Sequence, residues 1–183
     1  DLSIERSIRI DDGSVSVRGS LSAKDVEVDK WVSVGKDLSV ESIHVGGRLK
    51  VGGNAKVKEI DIGGSFEALG NVEAEKIEAG GSARVEGITT GLVIGVGGTF
   101  HGKGKVKVDK ISVGGTFVTE SEIISEELNV GGTARVSGGE VKNRIRVGGS
   151  FESNNPLTFG SMDVGGRVNL IGACEGRRIS VGG

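Results

Sequence analysis

The chain has 183 residues, is rich in glycine (34 residues) and contains only five phenylalanines, one tryptophan and no tyrosine. Its net charge is −2, and it has no basic cluster that could follow a phosphate backbone, so nucleic acid is not an expected partner. The single cysteine, Cys174, excludes an internal disulfide framework, and no apolar run approaches the ~18 residues that a membrane span needs.

A Gly-Gly pair recurs every 17 residues without interruption. The pairs begin at Gly46, Gly63, Gly80, Gly97, Gly114, Gly131, Gly148, Gly165 and Gly182. A strict period of this length leaves no room for a helix in each unit and is typical of a solenoid in which each repeat forms one coil. The sequence therefore predicts one β-helix domain over residues 1–183, with a partial coil at 1–10 and repeats over 11–183.

Apolar residues occupy fixed places in this repeat, which we number from the residue before each Gly-Gly pair. Positions 16, 1 and 5 are apolar in every coil, as in Ile43, Val45 and Phe66, and positions 7, 11 and 13 are mostly apolar. Side chains that alternate inward, outward and inward over three residues predict a short strand. Each coil should therefore contain three such strands, at positions 16 to 1, 5 to 7 and 11 to 13. We therefore predict an all-β fold, a triangular parallel β-helix (β-solenoid) of about ten 17-residue coils, roughly 48 Å long.

Glycine marks the expected corners of each coil. It fills positions 2 and 3 of the later coils, and position 9 at Gly19, Gly53, Gly70, Gly87, Gly104, Gly138 and Gly172. Because glycine tolerates positive φ, we interpret these residues as bends that adopt this backbone conformation, and not as a nucleotide-binding loop.

The two ends of the predicted solenoid carry apolar residues that no polar cap is expected to cover. An uncapped end exposes unpaired backbone groups together with its core, and it is a template for pairing with another chain. We expect end-to-end self-association, with like-to-like and head-to-tail joints both open. The predicted interface comprises Leu2, Ile4, Ile8 and Ile10 at one end and Val164, Val168, Leu170, Ile179 and Val181 at the other.

Along the body of the chain, four apolar residues occupy outward positions. Trp31 lies at position 4, where its ring either folds over the corner or forms an exposed anchor for a filament neighbour or a lipid surface. Ile88, Leu92 and Val93 form the best candidate for a lateral apolar patch. These four residues are the candidate lateral contacts.

Titratable residues form no pattern typical of a reactive site. His44, Asp61 and Glu78 share the outward position 17, where such side chains are usually just solvated. We therefore expect no catalytic residue, no metal and no cofactor, and the chain is not predicted to be an enzyme.

After residue 113 the inward positions become less apolar. Thr119, Ser125 and Ser153 take inward positions, and Glu140 and Lys142 flank Val141 where the repeat requires apolar, polar, apolar. Because a one-residue shift swaps the faces of a strand, we predict a bulge that turns Val141 inward and both charges outward.

The three inward pairs per coil and the repeated units of the form x-[Ile/Val]-x-Val-Gly-Gly-[Ser/Thr]-[Phe/Ala] resemble those of the bactofilins, polymer-forming cytoskeletal proteins. The resemblance runs from about Ile8 to Gly183, and the uniform Gly-Gly pairs suggest a divergent, archaeal or thermophilic, member. It implies a right-handed β-helix that polymerises end to end, without nucleotide, into unpolarised filaments. It also implies a cytoplasmic scaffold at the inner face of the membrane, contacting the membrane through tails outside these residues and binding morphogenetic or cell-envelope proteins.

Two other classes of protein use similar coils. An extracellular β-helical fibre or adhesin stalk is the main alternative, because a solenoid serves equally well as a stalk. A hexapeptide-repeat acyltransferase-like trimer fits less well, because His44 and His101 lie in ordinary outward positions with no inserted loop.

Overall fold

In a computed structural model that describes residues 1–183, the chain forms a parallel β-solenoid without any helix. Strands of a larger sheet alternate along the chain with shorter strands of a smaller sheet. The strands are β1 (Leu2–Ser3), β2 (Ser7–Ile10), β3 (Ser14–Val17), β4 (Leu21–Val28), β5 (Trp31–Val34), β6 (Leu38–Val45), β7 (Arg48–Val51), β8 (Ala55–Ile62), β9 (Ser65–Ala68), β10 (Val72–Ala79), β11 (Ser82–Val85), β12 (Thr89–Val96), β13 (Thr99–Gly102), β14 (Val106–Val113), β15 (Thr116–Thr119), β16 (Ile123–Val130), β17 (Thr133–Val136), β18 (Gly139–Val147), β19 (Phe151–Ser153), β20 (Leu157–Val164), β21 (Val168–Leu170) and β22 (Glu175–Val181).

The stacking order of both sheets follows the 17-residue period. The larger sheet has twelve strands and contains β1, β2 and the even-numbered strands from β4 to β22, whereas the smaller sheet has ten strands, the odd-numbered ones from β3 to β21. Neighbouring strands are parallel, and Ile60 pairs with Ile77 exactly one repeat later along the chain. Because β1 and β2 both pair with β4, the larger sheet has eleven layers, which confirms about ten full coils after a partial first coil.

Each full coil contains two strands, so the prediction of three separate strands per coil is wrong. Positions 11 to 1 form one strand of eight residues, as in β10. The side chains of Glu75 and Lys76, at positions 14 and 15, are not buried, whereas Ala74 and Ile77 on either side of them are. Lys76 still pairs with Glu59 of the preceding coil. The strand therefore bends at this corner without losing its hydrogen-bonded ladder, and the inward pairs still define three faces.

The inward positions merge into one apolar core that runs through the solenoid. The core is a single cluster of 45 buried apolar residues, so no coil is packed separately from its neighbours. Phe66, Phe100, Phe117 and Phe151 are among its largest fully buried side chains, and the rings of Phe100 and Phe117 stack with centroids 5.3 Å apart. All four occupy position 5 of their coils, so the prediction that this position faces inward is confirmed.

Most of the corner glycines are required for close stacking. The prediction that they adopt positive φ is wrong for most of them. Only Gly138, Gly139 and Gly172 have positive φ among the glycines. A Cβ atom on Gly46 would lie 2.2 Å from the carbonyl oxygen of Asp29, one coil below. Real Cβ atoms essentially never approach an oxygen so closely. The Gly-Gly column therefore lets successive backbones approach each other at the corner.

The predicted bulge near Val141 is confirmed. Val141 is fully buried and pairs with Ser125, whereas Glu140 and Lys142 point outward. The register of β18 shifts between its pairing at Val141 and its pairing at Arg144. Thus β18 contains one residue more than the usual eight, which restores the inward direction of the apolar side chains.

Candidate interaction surfaces

The first layer of the solenoid leaves a sheet edge and several apolar side chains accessible. Within the chain, β1 and β2 pair only with β4. Leu2 is 37% exposed, whereas Ile4, Ile8 and Ile10 are half-buried. Ile8 and Ile10 pack against the core from one side only, so they cover its first layer incompletely.

The last layer has the same character. Within the chain, β22 pairs only with β20, and its residues Ile179 and Val181 are 48% and 44% exposed. Val168 and Leu170 of β21 are half-buried. Val164 lies one layer further in, where it pairs with Val181 and is 3% exposed. Val164 is therefore a core residue beneath the end face, and the other four predicted residues form the face itself.

A shallow groove follows the corner beside the smaller sheet, and Trp31 forms part of its wall. The groove has a volume of about 730 Å³. Trp31 is 44% exposed and pairs with Arg48 of the next coil. Gly47, Gly64 and Gly81 line the groove over three further coils and contribute no side chains to it. The ring is thus accessible, as one of the two interpretations of Trp31 predicted.

Three cations surround this groove, and sequence reasoning did not single them out. Lys30, Arg48 and Lys50 line it, and only Lys50 has an ion-pair partner, Glu67 at 3.6 Å. Arg48 donates a hydrogen bond from Nε to Ser65 Oγ at 3.2 Å. The signal was present in the sequence, because Arg48 and Lys50 follow Trp31 and Ser33 by one 17-residue repeat.

The proposed lateral patch is divided into two parts. Ile88 and Leu92 are 48% and 51% exposed, and Val93 is half-buried. Ile88 precedes β12 and Leu92 lies near its middle, so the two are roughly 13 Å apart along an extended chain. The exposed Thr90 lies between them. Leu92 and Val93 therefore form one small apolar spot and Ile88 another.

Charged side chains on the outer surface mostly pair between neighbouring coils. His44 Nδ1 lies 3.1 Å from Asp61 Oδ2, but no group of three or more His, Cys, Asp or Glu side chains is arranged to hold a metal ion. Glu86 contacts both Lys103 and Arg84, and hydrogen bonds from Lys103 and then Arg84 lower the pKa of its carboxyl group. The exposed pairs that join neighbouring coils favour the stacking register but contribute little energy individually.

A column of short polar side chains at position 10 connects successive coils. Asp37 Oδ1 accepts a hydrogen bond from the backbone N–H of Asn54, and Asn54 Oδ1 accepts one from Asn71 N–H. Asn71 Oδ1 in turn accepts one from Ile88 N–H at 2.8 Å. The column satisfies backbone donors at a corner where the ladder is interrupted, so it is structural.

Comparisons with known proteins found no match among family models, curated proteins or solved structures. The chain also contains no helix with the length and apolar character to cross a membrane.

Proposed function

We propose that this protein is a structural scaffold that polymerises end to end, without nucleotide, in the manner of the bactofilins it resembles. The main support for this proposal is that both end faces have unpaired strand edges and exposed apolar side chains, above all Ile179 and Val181. Joining two ends continues both sheets and covers the last layer of core. Each half-exposed side chain that becomes buried contributes roughly 1 kcal/mol.

A polymer of stacked solenoids would present the same side surface many times along its length, so it could position partner proteins in a row. The protein's partners in this proposal are copies of itself and morphogenetic or cell-envelope proteins. Its place is the cytoplasm at the inner face of the membrane, which it contacts through tails outside these residues. An extracellular fibre or stalk would use the same stacking, and secretion of the protein would favour that alternative. A trimeric acyltransferase-like assembly would instead associate through its sides.

Negative-stain electron microscopy of the purified chain, without nucleotide, tests the proposal. Thin filaments with an axial repeat of one or two chain lengths are expected. Ile179→Glu combined with Val181→Glu should abolish them, because two carboxylates would be buried in each joint. Leu92→Glu is the matched control at an exposed apolar side chain on the body, and it should leave filaments intact. Monodisperse rods or trimers of the unaltered chain at high concentration would refute the proposal.

The type of joint can be determined by mixing two variants, each of which has charged substitutions at one end of the solenoid. One carries Ile8→Glu and Ile10→Glu, and the other carries Ile179→Glu and Val181→Glu. If joints are like-to-like, each variant alone forms dimers through its intact end. If joints are head-to-tail, each variant alone is monomeric and only the mixture forms dimers. Sedimentation velocity distinguishes these outcomes.

A further inference from the structure

We propose that the groove beside Trp31 binds an acidic saccharide, with a sugar ring on the indole and its carboxylate at Arg48. This inference does not rest on the proposed function, because the groove lies on the side of the solenoid. Trp31 belongs to β5, which pairs with the terminal strand β3 of the smaller sheet, and the groove runs from Trp31 away from that end, over Gly47, Gly64 and Gly81.

The shape of the groove favours a slender ligand. Trp31 is at one end, and the floor continues over Gly47, Gly64 and Gly81, which are successive glycines of one column. Their lack of side chains is imposed by stacking, since a Cβ on Gly64 would lie 2.4 Å from the carbonyl oxygen of Gly47. The result is a shelf along the solenoid axis that a linear chain of sugars can follow.

The chemistry of the lining favours a ligand that is both polar and anionic. Lys30 and Arg48 are exposed cations without an ion-pair partner, and Lys50, which pairs with Glu67, lies beside them. The hydrogen bond to Ser65 Oγ uses Arg48 Nε and leaves the terminal guanidinium nitrogens for a carboxylate. Ser33, Ser65 and Ser82 supply hydroxyl groups that can exchange hydrogen bonds with sugar hydroxyls.

The same lining disfavours two other occupants. Only Trp31 and Val32 are apolar among the residues that line the groove, and Val32 is 1% exposed, so a second copy of this chain would bury little apolar surface there. A lipid surface is flat, and it would contact a projecting ring more readily than a ring in the wall of a groove. A pyranose ring, in contrast, presents an apolar C–H face to the indole and polar groups at its rim.

Trp31 is the only tryptophan, so its fluorescence reports on this groove alone. Titration of the whole chain with hexagalacturonate should give a saturable change in emission that weakens as salt is added. Maltohexaose, a neutral oligosaccharide of the same length, should bind at least tenfold more weakly. Arg48→Gln should weaken hexagalacturonate binding by about tenfold to a hundredfold. Arg167→Gln is the matched control, because Arg167 occupies the same repeat position without a neighbouring tryptophan, and it should leave binding unchanged.

Several results would overturn this proposal. It fails if hexagalacturonate causes no saturable change at millimolar concentration, or if Arg48→Gln binds as tightly as the unaltered chain. Vesicles of phosphatidylglycerol that shift the emission when the oligosaccharide does not would identify a lipid contact instead. An emission that changes with protein concentration in the absence of ligand would identify a contact between copies. The same titrations with the Ile179→Glu, Val181→Glu variant, which should not form filaments, separate these results from end-to-end assembly.

Discussion

Gly114 stacks on Gly97 so closely that a Cβ atom on Gly114 would lie 2.2 Å from the Gly97 carbonyl oxygen. Gly114→Ala should therefore force two coils apart and lower the free energy of unfolding by at least about 2 kcal/mol. Gly95→Ala is the control, because the nearest heavy atom to its new Cβ is a side-chain carbon at 3.6 Å. It should change stability by no more than about 0.5 kcal/mol. Urea unfolding followed by far-ultraviolet circular dichroism measures both variants, and equal stability would contradict the stacking explanation.

This glycine column shows where reasoning from sequence succeeded and where it failed. The period identified the solenoid, its inward positions and the corners, because apolar burial alternates regularly along a strand. It assigned the wrong cause to Gly46 and its equivalents, since close approach between backbones 17 residues apart is a property of the stacked layers and not of local sequence. The bulge at Val141 was predictable because two charges in inward positions violate the pattern.

The strand boundaries and the Trp31 groove were harder to foresee. Two consecutive outward residues, such as Glu75 and Lys76, look like a corner, but a sheet can bend there and keep its ladder of hydrogen bonds. The groove depends on side chains from successive coils that meet only after stacking. Trp31 is conspicuous as the only tryptophan, whereas Arg48 becomes informative only when the 17-residue period is used to place it beside Trp31, a pairing that the structure shows.

Two buried threonine hydroxyl groups have no hydrogen-bond partner. Thr89 and Thr119 are 0% and 3% exposed, and neither Oγ1 atom is satisfied. Thr119→Val and Thr89→Val keep the shape of the side chain and remove an unpaired polar group, so each should raise stability by about 1 kcal/mol. Ser153→Ala is the contrasting variant and should destabilise the fold, because Ser153 Oγ donates to the Asn155 carbonyl oxygen at 2.8 Å. A lower urea midpoint for both valine variants would contradict this prediction.

The polar column at position 10 predicts a distinction between two substitutions of one residue. Asn71→Ala removes the oxygen that accepts a hydrogen bond from Ile88 N–H at 2.8 Å, and it should cost about 1 kcal/mol. Asn71→Asp keeps an acceptor at the same place and stacks on the uncharged Asn54, so it should retain most of the stability. Thermal unfolding at neutral pH compares the two variants, and equal losses would show that the accepted hydrogen bond is not what matters.

Glu86 should make the fold sensitive to acid. Hydrogen bonds from Lys103 and Arg84 hold the pKa of its carboxyl group in the folded chain below the ordinary value of 4.5. The unfolded chain therefore takes up a proton first, so this stabilisation is fully present above pH 4.5 and is lost as the pH falls through the lowered pKa. Glu86→Gln should flatten the decline of stability below that pH, because the altered side chain does not titrate. Glu126→Gln, at an exposed carboxylate without an ion-pair partner, should leave the decline as steep as in the unaltered chain. Urea midpoints measured from pH 7 to pH 3 make the comparison, and curves for Glu86→Gln and the unaltered chain that stay parallel would show that this carboxylate is not linked to folding.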